Sequence, residues 1–482
     1  MDDGAEELAL KTSPPSDHIM KTFAPSLRRN LTLQILVLAT LLPGISIMQV
    51  PLQANPAGAN VVAGGVSFDG LGTSNLNINQ SSGSAIINWQ SFSIQNGEVT
   101  TFNQPGVNSV ALNRVMGGNP SAIYGALRAN GGVVVVNPNG IVVHAGGVVD
   151  VAGMLTMSTL DIDNDDFLNG GDDRYYGNSS AGVTNYGAIS SANSDVVLLG
   201  NFLHNAGRVS APDGTVAFGA GGDILVQQGI SGASISVQGA GAGAAVGIEN
   251  SGSVTGAAVD FAAHGNTYAL AIQNEGVIRA TGVETRGGRV MLRAGGSSSI
   301  MNTGQIRANN YDGSGGDISI EGGNVLLESG SLETAGTNGT AGGSVNVVGN
   351  HVFASENVSI DASGSNGGSV SVVGKTSVRI NADVNASGAV GNGGAVDVTG
   401  NSVTIGSASE INVSGSAAGG RARLGGGFQG GEADIANANH TTIEAGSLII
   451  ADSAEGNAGQ VVIWADGDTT FNGEISAQAY GA

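Results

Sequence analysis

The sequence predicts an all-β protein: a right-handed parallel β-helix, wound as a three-sided solenoid with an N-terminal cap. Three observations lead there. Glycine fills 81 of 482 positions, about 17% against a usual ~7%, yet proline fills only 10, and glycine has no strict third-residue period, so the chain is not collagen-like. Two short motifs recur along the chain. One is Asn-x-Gly-x-Ile/Val, at Asn185, Asn205, Asn250, Asn274 and Asn302, with steps of 20, 45, 24 and 28 residues. The 45-residue step reads as one missed copy. The other is a glycine pair leading an alternating strand, at Gly315-Gly316, Gly342-Gly343, Gly367-Gly368 and Gly393-Gly394. The third observation is the alternation itself. Ser369-Val370-Ser371-Val372, Ser377-Val378-Arg379-Ile380 and Asp383-Val384-Asn385-Ala386 put Val and Ile on one face and polar residues on the other.

Gly374-Lys375 and the Ser387-Gly388 region read as breaks between strands, where Gly or Asn takes φ > 0 at low cost. Three short strands in roughly 25 residues make one coil. A single coil cannot bury its inward residues, but stacked coils share a continuous Val/Ile/Ala core. From residue 55 onward there is room for roughly 18 coils of ~24 residues, a rod of about 85 Å at ~4.8 Å per coil. A β-sandwich or a propeller is the competing architecture, and a propeller would need repeats of ~40–50 residues.

Composition narrows the function. Only 12% of residues are charged, and 17 basic against 39 acidic residues leave a net charge of −22. Nucleic-acid binding needs Lys and Arg against phosphates, so it is excluded as a class. Zero cysteines exclude disulfides, thiolate nucleophiles and Cys-zinc sites. The reading is of a structural, non-enzymatic chain that needs no cofactor.

Taken in order, residues 1–54 read as a leader and signal peptide. Arg28-Arg29 precede the apolar run Leu31–Ile47, and Ala54 offers a small residue for cleavage, with Met1 or Met20 as the start. The run of 17 residues is short of the ~20 that a membrane-spanning helix needs. Residues 55–182 are less repetitive and are rich in aromatic residues, including Phe68, Trp89, Phe92, Phe102 and Tyr124. Their start, about 55–80, reads as a cap over the open helix end, whose strand edges and core would otherwise invite aggregation. In Gly131–Val136 four valines make a buried strand, and Asn137-Pro138-Asn139-Gly140 fits a type I turn before Ile141.

Asn137-Pro138-Asn139-Gly140-Ile141 resembles a hallmark of the two-partner secretion domain of filamentous haemagglutinin-like and high-molecular-weight adhesin exoproteins. The ordered runs Asn88–Ile94, Phe102–Pro105, Ala111–Val115 and Ile123–Gly131 resemble the same domain. Where the family also carries Asn-Pro-Asn-Leu, this chain has Gly118-Asn119-Pro120-Ser121. The resemblance implies a domain over 55–300 and a shaft of β-helix repeats over 301–482 that stops in mid-repeat. It implies export across the inner membrane, recognition by periplasmic domains of a dedicated outer-membrane β-barrel transporter, unfolded passage, and folding at the cell surface. Asn113, Arg114 and Asn137, Pro138, Asn139, Gly140 and Ile141 are the candidate transporter-recognition residues. The alternative is that these residues only set corners of the coil.

Other chemistry is thin. Asp161–Asp173 has the oxygen density of a calcium loop, but Asp166 stands where the loop needs glycine and Asp172 where it needs glutamate, so it reads as a solvated acidic excursion. His144, His204, His264, His351 and His440 lack metal spacing. The leading function is a secreted, surface-directed adhesin whose partners are the transporter and surface glycans. The alternatives are a polysaccharide-degrading β-helix enzyme, which would need carboxylates about 5–9.5 Å apart, and the stalk of a toxin whose effector is absent from this chain.

Overall fold

In a computed structural model, residues 55–229, 232–265 and 268–481 are described. The leader and signal-peptide reading of 1–54 falls outside them. The described chain winds as a three-walled solenoid, and each wall is a ladder of parallel strands paired coil to coil. The first wall runs from Asn75–Gln80 through Val99–Asn103 and Ala126–Ala129 to Glu474–Ser476. The second starts at Ser84–Trp89 and passes through Val110–Val115 and Gly132–Val136 to Gln460–Ile463. The third passes through Ser121–Ile123, Ile141–Val143 and Val183–Asn185 to Asp468–Phe471. A single apolar core runs inside, from Leu76, Ile78 and Trp89 to Ile443 and Ile449. The parallel β-helix expected from the alternation is the fold observed.

The winding is looser than roughly 24 residues per coil. The first wall stacks fifteen rungs rather than roughly 18, because several coils carry excursions. The 45-residue step hides no missed copy. Asn205 pairs in register with Asn250, and the intervening residues include a hairpin, Asp223–Gly229 with Gly232–Gly239, that leaves the solenoid. Gly374-Lys375 does not break a strand either. Ser369–Ile380 is one strand whose first half pairs on the second wall and whose second half pairs on the third, with a register shift at the corner.

Glycine earns its frequency through space rather than through φ. A Cβ on Gly368 would lie 2.0 Å from the carbonyl oxygen of Gly343, one on Gly394 2.0 Å from that of Gly368, and one on Gly420 2.1 Å from that of Gly394. The second glycines of the pairs therefore form a column in which successive backbones touch. The Asn-x-Gly repeats form a second column beside a buried asparagine ladder. Asn185 Nδ2 donates to Asn205 Oδ1 at 2.8 Å, Asn205 to Asn250 at 2.8 Å, Asn250 to Asn274 at 2.8 Å and Asn274 to Asn302 at 2.7 Å. Each amide satisfies the next, which is what permits a polar column inside an apolar rod.

The N-terminal end is covered. Asn60–Ala63 runs antiparallel to Ser84–Trp89, and Val66–Asp69 runs antiparallel to Asn75–Gln80. Phe68 meets the buried Trp89 edge to face at 5.6 Å. These strands pair the edges that the first rungs would leave open.

Candidate functional site

The corner at Asn137–Ile141 follows the wholly buried strand Gly132–Val136. Gly140 N donates to Asn137 O at 3.0 Å, closing the turn that Pro138 presets. Asn137 is buried, and its polar atoms are all engaged. Nδ2 donates to Asn119 O at 3.0 Å and to Ser121 Oγ at 2.9 Å, while Oδ1 accepts from Asn139 N and Nδ2, each at 3.0 Å. Asn139 Nδ2 also donates to Gly117 O at 2.8 Å. Gly118-Asn119-Pro120-Ser121 is thus the other half of the corner. It supplies both acceptors for Asn137, a role that the one-dimensional motif does not reveal.

The other candidates differ in burial. Asn113 is fully buried; its Oδ1 accepts from Trp89 Nε1 at 3.0 Å, and its Nδ2 donates to Ala111 O at 3.1 Å. Ile141 and Gly140 are buried, Asn139 is half-buried and Pro138 is exposed. Arg114 points away from this corner. Its Nε meets Asp161 Oδ1 at 2.8 Å, Nη1 donates to Asn164 Oδ1 at 2.9 Å and Nη2 donates to Ile162 O at 2.6 Å. The seven residues therefore divide between one turn, one interior amide and one surface clamp.

What Arg114 clamps is the acidic excursion Asp161–Asp173, which leaves the solenoid with Asp163, Asp165, Asp166 and Asp172 exposed but is folded within itself. The segment is a strand, Asp161–Ile162, a short helix, Asn164–Asn169, and the start of a second strand, Asp173–Tyr176. With the hairpin Asp223–Gly229 and Gly232–Gly239 they form a four-stranded antiparallel sheet outside the solenoid. This outer sheet lies over the second wall. Ile162, Phe167, Tyr175, Ile224, Val226 and Ile235 pack against Ile86, Leu112, Val134, Val136, Val197 and Leu199 as a second hydrophobic core. The physical reason is the four-valine run: Val133 and Val135 fill the solenoid, while Val134 and Val136 face outward and need a cover.

Asp173 lies at the edge of that second core, 9% exposed. Burial, reinforced by Asp166 and Asp172, pushes its carboxyl up to about 6. Asp161, Asp163, Asp165 and Asp166 line an open cleft with Asn88, Arg114 and Met116. Among the described residues, no group of three or more His, Asp or Glu could hold a metal ion. No helix of the described residues is long and apolar enough to cross a membrane.

The TPS secretion domain family model matches residues 52–308, which contain the corner, the outer sheet and the asparagine ladder. The crystal structure of the HMW1 secretion domain from Haemophilus influenzae superposes with a TM-score of 0.58 at 22% identity, covering 87% of this chain and all of that one, a likeness of fold. Two heme/hemopexin-binding proteins of Haemophilus influenzae are 41% and 40% identical over 108 residues, 22% of this chain. The aligned part spans only 12% of the length of those relatives.

Proposed function

The chain belongs to the TPS secretion-domain family, and from that membership we propose that it is a filamentous haemagglutinin-like adhesin whose transporter reads Asn113, Arg114 and Asn137–Ile141 before the chain folds. Two-partner secretion exoproteins leave the cell through an outer-membrane transporter, and the family match carries that much. The finer reading rests on burial. In the folded coil, Asn113 and Asn137 are fully enclosed and every polar group of the Asn137 side chain is engaged, so a partner meeting the finished solenoid has little of the motif to touch. In an extended chain the same amides are free, and an extended segment can add to a sheet edge of the partner. The adhesin reading is supported by the shaft, whose outward Ser, Asn and Thr side chains offer a long polar surface for glycans.

The test separates recognition from folding. Chain diluted from denaturant into the transporter's periplasmic domains should be captured before it folds, and chain folded beforehand should not. Asn137→Ala with Asn139→Ala should reduce capture of the unfolded chain, where native stability plays no part, and should reduce export in cells. Equal capture of folded and unfolded chain, or full capture of the unfolded variant, would overturn the reading.

A further inference from the structure

The hairpin Asp223–Gly229 with Gly232–Gly239 follows the long strand Arg208–Ala220 and lies back over the second wall. Its inner strand pairs with Asp173–Tyr176, so Gly232–Gly239 is an edge of the outer sheet. Ala233 and Ile235 on that edge are 0% and 2% exposed. Their outward backbone groups therefore face protein rather than water and need partners.

Three side chains stand where a fifth strand would lie. Asp195 Oδ2 accepts from Ala233 N at 2.9 Å, Asp260 Oδ2 accepts from Ile235 N at 3.3 Å, and Arg293 Nη2 donates to Ile235 O at 2.8 Å. Asp195 Oδ1 also accepts from Thr215 N at 2.6 Å, and Arg293 is paired with Asp260 at 2.6 Å. At the opposite edge of the sheet, Arg114 caps Ile162 O in the same manner. Charged side chains on sheet edges block the addition of foreign strands.

The order of these caps along the chain carries information. Arg114 and Asp195 precede the hairpin, whereas Asp260 and Arg293 come from the two coils wound after it, Ser253–Ala263 and Arg289–Ala294. The apolar bed beneath the hairpin is built from earlier rungs, with Ala262 the single later contributor among the described residues. The hairpin can therefore dock and gain its Asp195 cap as soon as it is made. The outward peptide groups of Ile235 gain their partners later, the N–H from Asp260 in the first coil wound after the hairpin and the C=O from Arg293 in the second.

We propose that the outer sheet is a clasp that closes in two stages, the second made by Asp260 and Arg293, and that this second stage marks completion of the N-terminal unit. The family match is consistent with such a unit, since it encloses every member of the clasp and ends at residue 308, shortly beyond the Arg289–Ala294 rung. The inference concerns folding order within the chain and stands whether or not the transporter reads the unfolded motif.

Pulse-labelled hydrogen exchange during refolding of the full chain tests it. The Ala233 amide should gain protection first, and the Ile235 amide should gain it together with the amides of Ser253–Ala263, the rung that carries its acceptor Asp260. Simultaneous protection of Ala233 and Ile235, ahead of that rung, would overturn the proposal. In the folded chain, Arg293→Met keeps the aliphatic stem and removes the guanidinium. By loosening the Asp260 carboxylate that Arg293 holds against the Ile235 amide, it should speed exchange at Ile235 at least tenfold and leave Val196–Gly200 unchanged. An Ile235 amide as protected as in the unaltered chain would count equally against the clasp. If Arg293→Met fails to fold, the order of protection in the unaltered chain decides alone.

Discussion

The second wall is made in two ways along one rod. In the N-terminal part its strands are apolar on both faces: Gly132–Val136 and Val196–Gly200 are buried at every residue. In the shaft, the strands Ser344–Ala354 and Ser369–Ile380 alternate, with Val inward and Ser, Asn or Lys outward. The winding is the same and the pairing is parallel in both. The difference is the outer sheet, which turns the N-terminal wall into an interior layer. In a solenoid wall, a continuous apolar run is thus a mark of a second cover, and alternation is a mark of a bare outer face.

Charging the outward face should separate the two parts most sharply. Val134→Asp puts a carboxylate into the second core and should cost about 3–5 kcal/mol or prevent docking of the outer sheet. Ser371→Asp, on the outward face of the shaft, should stay within about 0.5 kcal/mol. Urea denaturation monitored by circular dichroism reads both, and equal costs would erase the distinction.

The asparagine ladder belongs to the N-terminal part, and breaking it comes next in size. Asn250→Ala leaves Asn205 Nδ2 without its acceptor and Asn274 Oδ1 without its donor, and should cost about 2–3 kcal/mol. Asn412→Ala, on the half-buried face of the shaft, serves as the reference and should cost less than half as much. A ladder variant as stable as this reference would show that the column carries no stability.

Gly368→Ala tests the shaft from the opposite direction. The added methyl meets the Gly343 carbonyl, a backbone group that cannot turn aside, so the rungs must part at a cost of about 2 kcal/mol. Gly83→Ala, where a methyl meets no atom within 4 Å, should cost much less, and similar melting temperatures for the two variants would contradict the packing argument.

The smallest effect is a pH dependence confined to the outer sheet. The carboxyl of Asp173 sits at about 6 in the folded chain against 3.8 for an unperturbed group, so the folded state holds its proton more tightly. Its contribution is therefore fully present below about pH 4 and is lost as the pH rises through about 6. Asp173→Asn should stabilise the protein at pH 7 by roughly 1 kcal/mol and flatten this window, as read from melting temperature against pH. A variant with the same slope between pH 4 and 6 as the unaltered chain would assign the effect elsewhere.

Much of this architecture was legible in local pattern. Alternation at Ser369–Val372 determines which side chains face inward, and the recurrence of Asn-x-Gly at Asn185, Asn205, Asn250, Asn274 and Asn302 marks a corner repeated in successive coils. The strand and turn around Asn137 were legible for the same reason, since Pro138 and Gly140 constrain the backbone through their own chemistry. Other features depended on neighbours distant in the chain. Nothing near Arg114 announces that its partners are Asp161, Ile162 and Asn164, some fifty residues on. Nothing near Ile235 announces Asp260 and Arg293, and no spacing distinguishes a 45-residue step with a missed copy from one with a hairpin.

By itself the sequence determined the winding, because a coil's inward and outward faces follow from a period of two, and that period is written residue by residue. Only the tertiary structure decided what covers the second wall and which glycines are indispensable. Those outcomes depend on how closely one coil approaches the next and on which distant side chains satisfy a buried peptide group. Such distances exist only once the coils are stacked.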